Sequence, residues 1–192
     1  MRGDRADASM ANASLESPKP LSLLRRLFPE RDQRARYLPL YNAIVAEARD
    51  PAWYRDGGVP DTVDGRFDMV AMILALVLIR LEGEGERGRL PSTLLTELFI
   101  DDMDGQLRQI GIGDVIVGKH VGRMMSALGG RISAYRAALA GDEPLHDALA
   151  RNLWRGESPA ATDYVEHRMA GLHASLADMP ADAIYAGRLT AS

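Results

Sequence analysis

Apolar residues in this chain recur every three or four positions, and nowhere alternate with period two over a useful length, so the pattern is helical. Tyr37, Leu38, Tyr41, Ile44 and Val45 make one such face. It predicts a helix that carries Pro39 in its first turn and ends near Arg49, because Asp50-Pro51 disfavours continuation. A second helix should start at Asp61 or Thr62, either of which can accept a free backbone N–H. Its stripe is Val63, Phe67, Val70, Leu74, Val77, Leu78 and Leu81, while Met72, Leu76 and Ile79 make the opposite side apolar as well. A helix that is apolar all round belongs at the centre of a bundle.

Further helices are expected over about 91–110, 114–139, 145–154, 162–176 and 181–188. Between them lie a polar loop at 83–88, a Gly111-Ile112-Gly113 break and a turn marked by Gly141 and Pro144. The expected fold is all-α, a single compact bundle of six or seven helices, without internal repeats. Residues 1–20, rich in Ala, Ser, Asp and Arg and ending Pro-Lys-Pro, bury too little apolar area to offset their ordering entropy and read as a disordered tail. A short basic and apolar segment, 21–36, follows, and 37–192 is the helical domain.

Composition narrows the function classes. At 192 residues and 46% hydrophobic the chain fits one domain with a real core. Its net charge of -4 gives no global field for nucleic acid, so the one basic patch is local, around Arg25, Arg26, Arg31, Arg34 and Arg36. Cysteine is absent, which excludes disulfides, thiolate metal sites and cysteine nucleophiles. The first residues lack the apolar run of a signal peptide, and the longest apolar run, 69–79, falls short of the roughly 20 residues that span a bilayer. These features fit a cytoplasmic protein.

No catalytic set emerges. The stretch from Gly113 through Gly118, Lys119 and His120 nearly matches the phosphate-binding loop, but a helix is expected before it where that loop needs a strand, and His120 replaces the magnesium-binding hydroxyl. The plainer reading is a helix start with Asp114 in its first turn. Gly118, Gly122 and Gly129 then share one face and would admit a close helix or peptide. Asp101, Asp102 and Asp104 resemble a magnesium-diphosphate cluster that lacks its final acid at Gly105. Asp101 and Asp104 lie with Glu97 and Arg108 on the polar face, whereas Asp102 falls in the apolar arc and should be paired, with Arg66, Lys119 or Arg123. The four histidines lie in separate segments, and Asp163 with His167 reads as a surface pair. No catalytic residue, cofactor or metal is expected. A metal- or phosphate-dependent enzyme using Asp101–Asp104 and Lys119, or a generic interaction scaffold, stands as the alternative.

The densest stretch is W-Y-R-D-G-G-V-P-D-T-V-D-G-R-F-D at 53–68, where Trp53 and Tyr54 precede a Gly-Gly turn and either cap the core or face solvent. Asp64 and Asp68, one turn apart, suit a helix start and can flank a partner's basic residues. G-V-P-D-T-V-D-G-R-F-D-M at 58–69, D-M-D at 102–104 and G-I-G-D-V-I-V-G-K at 111–119, in that order, resemble the ubiquinol-cytochrome c chaperone family over about 37–139. His120 departs from the basic residue expected there, and positions after about 141 carry no motif of the resemblance.

The resemblance implies a non-enzymatic assembly factor for the cytochrome bc complex, respiratory complex III. Its implied client is newly made cytochrome b or another subunit of that complex, and mitochondrial relatives also use a small co-chaperone and contact the ribosome. Carried onto this sequence, a client-binding surface is formed or supported by Val59, Pro60, Asp61, Thr62, Asp64, Gly65, Arg66 and Asp68 with Asp102, Gly113, Asp114, Gly118 and Lys119. Trp53 and Tyr54 would add contact area, and Asp101 and Asp104 would meet positive segments beside membrane helices. Residues 21–36 would rest weakly on anionic lipid, placing the protein at the inner face of the respiratory membrane.

Overall fold

The computed structural model describes residues 33–109, 114–157 and 159–190, with only the backbone of 107, 108 and 114–121. Gly113, residues 1–20 and most of 21–36 lie outside the described residues, as do the side chains of Asp114, Lys119 and His120. Eight helices and no strand occur among the described residues: α1 (Leu38–Ala48), α2 (Pro51–Arg55), α3 (Val63–Glu82), α4 (Glu86–Gln109), α5 (Asp114–Ala140), α6 (Leu145–Leu153), α7 (Thr162–Asp178) and α8 (Ala181–Tyr185).

The helix that periodicity missed is α2, too short at five residues to show a face. The same Asp50-Pro51 pair that ends α1 starts it: the Asp50 carboxylate accepts the Ala52 N–H at 2.9 Å and Pro51 takes the first position. Helix α4 begins at Glu86, five residues before the expected start, so only 83–85 remain as a turn, with Gly85 at φ 59°. Gly88 lies inside the helix and has to be glycine, because the Leu81 carbonyl oxygen would be 1.9 Å from any Cβ there. Pro91 is tolerated in α4 because it strips a helical donor only from the carbonyl of residue 87, near the first turn.

Helix α3 is the axis of the bundle. Helices α1, α4, α5, α6 and α7 all pack on it. Met69, Ala71, Met72, Ile73, Leu74, Ala75, Leu76 and Val77 are fully buried on every side of it, as its all-round apolar pattern requires. Each large side chain buried this way contributes about 1.5–3 kcal/mol. Two positions assigned to apolar faces are instead exposed. Val63 stands at the first residue of α3, before it enters the bundle, and Leu38 opens α1 on the outside.

The C-terminal end closes against the beginning of the domain. Tyr185 meets Tyr37 edge-on at 5.5 Å, and Arg80 of α3 donates to the carbonyls of Leu176 at 2.9 Å and Met179 at 3.0 Å, satisfying free acceptors at the end of α7.

Candidate functional site

The densest sequence stretch forms the corner between α1, α2 and α3. Trp53 is fully buried, its indole N–H donating to the Glu47 carbonyl at 2.9 Å, so it supports the corner from inside and offers no surface. Arg168 of α7 lies 4.1 Å over the Trp53 ring and pairs with Glu47 at 2.8 Å and with Asp50, clamping α7 to the corner. Tyr54 is half-buried and donates its hydroxyl to the Ala48 carbonyl at 2.7 Å.

The chain then reverses. Gly58, at φ 63°, turns it, Trp154 donates to the Gly58 carbonyl at 3.0 Å, and Val59 is buried. Pro60 and Asp61 fold back over the start of α3 so closely that a Cβ on Gly65 would lie 1.9 Å from the Pro60 carbonyl oxygen. Thr62 caps α3 by accepting the Gly65 N–H at 3.1 Å. Gly65 is thus the one residue that lets the 59–62 turn rest on the helix.

Each of the four acids in 53–68 is matched by an arginine. Asp56 takes Arg55 at 2.6 Å, Asp61 takes Arg66 at 2.7 Å, Asp64 takes Arg155 at 2.6 Å, and Asp68 takes Arg131. The first three are exposed. The bond from Arg66 holds the Asp61 carboxyl below the usual carboxylate range.

Asp68 differs, being 8% exposed and therefore not available to flank a partner's basic residues as the sequence suggested. Burial pushes its carboxyl up to about 6 against the pull of Arg131 and Arg155. Arg131 also lies 5.5 Å over the Phe67 ring, and the buried Tyr135 hydroxyl beside this pair has no hydrogen-bond partner among the described residues.

The acids of α4 are engaged as well. Asp101 and Glu97 hold Arg34, which ties the basic segment to the bundle. Asp102, expected to need a cation, accepts instead from the Tyr41 hydroxyl at 2.8 Å and from the Gln106 side-chain amide at 3.1 Å. Of the expected partners, Arg66 is on Asp61, and the Lys119 side chain lies outside the described residues. Asp104 is half-buried. The phosphate-loop reading loses its context because helix α4, not a strand, precedes α5.

Four further features lie on the described surface. An open depression of about 540 Å³ is lined by Arg49, Pro51, Tyr54, Arg55, Asp61 and Arg66. A mostly apolar groove of about 480 Å³ between α3, α4 and α5 is lined by Leu78, Ile100, Met125 and Ile132 with Glu82 and Glu97 among its rim. On α5, Gly122 and Gly129 are exposed with nothing within 4 Å of an added Cβ, so the glycine face is bare. His146, Asp163 and Glu166 also bring one donor atom each within 4.8 Å of one another, a set of the type divalent metals accept. Sequence spacing gives no sign of it, because His146 belongs to α6 and the acids to α7, and Asp163 was read with His167 alone.

The sequence model of the ubiquinol-cytochrome C chaperone family matches residues 55–191, most of the chain and all of α3 to α8. The chain belongs to this family. The solved structure of the Cbp3 homolog from Brucella abortus superposes with a TM-score of 0.73 at 32% identity, covering 88% of this chain and 94% of that one. No curated protein matches. The match runs through the segment after 141, which the motifs alone left unassigned, and that segment supplies Trp154 and Arg155, just past α6, and Arg168 of α7 to the corner. Among the described residues no helix is long and apolar enough to cross a membrane.

Proposed function

We propose that this chaperone binds newly made cytochrome b, or another subunit of respiratory complex III, and holds it without chemistry of its own until the subunit is assembled. The family match over residues 55–191 carries the reading, since it takes in the α3 side of the corner, from Arg55 onward, and the apolar groove. The groove supports it physically: Leu78, Ile100, Met125 and Ile132 offer apolar contact to a membrane-destined segment before it reaches lipid. The adjoining glycine face of α5 allows a helix to approach closely. In this reading Trp53, Val59, Gly65 and Asp68 hold the corner in shape, and Pro60, Asp61, Thr62, Asp64 and Arg66 face outward. A small co-chaperone, the ribosome and the lipid surface met by residues 21–36 are the further partners.

Removal of the gene tests it. Loss of the cytochrome b haem absorbance and of complex III activity, with the cytochrome b transcript at normal level, is the expected outcome. Normal complex III in the deletion strain would discard the proposal. Vesicle flotation of the chain with and without residues 1–36 checks the lipid contact, which equal flotation would remove.

A further inference from the structure

Across the described surface of the corner, arginines and aspartates are matched almost one for one, but the depression at its edge breaks the balance. Three guanidinium groups, from Arg49, Arg55 and Arg66, line it against the single carboxylate of Asp61, on a chain whose net charge is -4. Arg55 is already on Asp56 and Arg66 on Asp61. Arg49 is exposed and donates to no carboxylate among the described residues; burial raises the Tyr54 phenol above its ordinary range, against a smaller opposing pull from Arg66 and Arg49 nearby. Tyr54 is pinned through its hydroxyl to Ala48, so its ring is a fixed wall with Pro51 beside it.

We infer that this depression is a receptor for an acidic side chain of the polypeptide client, seated between Arg49 and Arg66 against the Tyr54 ring. A guanidinium fork matches a carboxylate with two parallel donors. The depression already holds one carboxylate on a guanidinium through a single bond, Asp61 accepting from the Arg66 Nε at 2.7 Å. Both members of that pair are more than half exposed, and such pairs are worth little, so an incoming Asp or Glu exchanges with Asp61 at small cost. Pro51 and the Tyr54 ring meanwhile give the methylenes of a polypeptide apolar contact that a bare phosphate does not use. This sign is opposite to the one suggested by the acids of 53–68, because the chain's own arginines neutralise them. The inference rests on the client reading above.

The full chain is titrated with blocked hexaglutamate, with hexaglutamine and with pyrophosphate while tyrosine and guanidinium NMR signals are followed. Hexaglutamate should shift the Tyr54 and Arg66 signals, and hexaglutamine should not. Arg49→Glu should weaken hexaglutamate binding about tenfold or more, whereas Arg87→Glu, on the exposed start of α4, should leave it unchanged. Because Arg49 holds no described partner, the Arg49→Glu chain should melt within about 2 °C of the parent. Binding of pyrophosphate alone, or hexaglutamate binding indifferent to Arg49→Glu, would overturn the inference. In cells, Arg49→Glu should retain less cytochrome b than the parent chain. Equal retention would sink the acidic receptor and leave the client reading standing, while a parent chain retaining none would sink the client reading itself.

Discussion

Asp64 and Asp68 stand one turn apart on α3, and each is held by an arginine from a distant helix or loop, yet the two pairs do different work. The side chains of Asp64 and Arg155 are 72% and 76% exposed, and those of Asp68 and Arg131 only 12% and 11%. In water an ion pair gains little over its two hydrated halves, whereas in the bundle each charge needs its partner because solvent cannot replace it. Position along the helix, and not the chemistry of the pair, sets what the interaction is worth. The outer turn of α3 belongs to the corner surface and the next turn to the core.

The sharpest way to break this contrast is to remove one charge from the inner pair. Asp68→Asn neutralises the inner carboxylate as protonation does while keeping an acceptor for Arg131, so its stability relative to the parent should rise by about 3 kcal/mol between about pH 4 and pH 7 in denaturant titration. The pH dependence carries a definite sign. The folded form of Asp68 binds its proton more tightly than the unfolded chain does, with a folded value of about 6. Stability from this group is therefore fully present at low pH and declines as pH rises through about 4 to 6. The asparagine variant should lack that decline. A parent and variant with parallel stability curves across this interval would show that the pair is not as desolvated as its burial implies.

Next in size is Gly65, which joins the two turns. Alanine there puts a methyl group 1.9 Å from the Pro60 carbonyl oxygen, so either the 59–62 turn or the α3 start must shift. A loss of about 2–3 kcal/mol is expected, with the Trp154 indole leaving the Gly58 carbonyl and its emission moving to the red. Unchanged emission and stability would mean that the turn is loosely held.

Asp102 gives the intermediate case, half-buried and satisfied by neutral donors. Asp102→Ala deprives the buried Tyr41 hydroxyl of its acceptor, at about 1–2 kcal/mol or a melting shift of about 3–6 °C. Burial, with the hydrogen bond to Asp102 adding to it, pushes the Tyr41 phenol far above its ordinary range. Removing the carboxylate should therefore bring the tyrosine titration seen by ultraviolet absorbance to lower pH. A melting point unmoved by the substitution would reject the bond.

These cases show what was legible in the sequence. The axial role of α3 follows from its two-sided apolar pattern, and a cap at Asp61 or Thr62 follows from their place before the run, since both are local properties of the chain; the choice of Thr62 came from the structure. The need of Asp102 for a partner was equally local, because a carboxylate in an apolar arc cannot stay alone. Which partner it takes was not: Tyr41 is 61 residues away and was counted only as an apolar face residue. The same limit hid Arg131, Arg155 and Arg168, whose side chains reach the corner from α5, the end of α6 and α7, so the acids of 53–68 looked like free charge. Helix α2 was missed for the opposite reason, being too short for a period to show.

The outer pair supplies the smallest effect and the closest test of the contrast. Arg155 adopts a left-handed backbone, φ 55°, at the end of α6, a conformation that disfavours any residue but glycine by about 1 kcal/mol. Its alanine variant keeps that strain and removes only the side chain, so a double-mutant cycle with Asp64→Ala isolates the ion pair. The coupling should be below about 0.5 kcal/mol and vanish in molar salt. Asp64→Ala alone should cost somewhat more, up to about 1 kcal/mol, because Asp64 also sits in the first turn of α3 where the helix end is positive. A coupling above about 2 kcal/mol would mean that the α3 rim is preorganised as firmly as the core, and the outer turn would then have to be counted with the inner one as scaffold instead of as surface open to a partner.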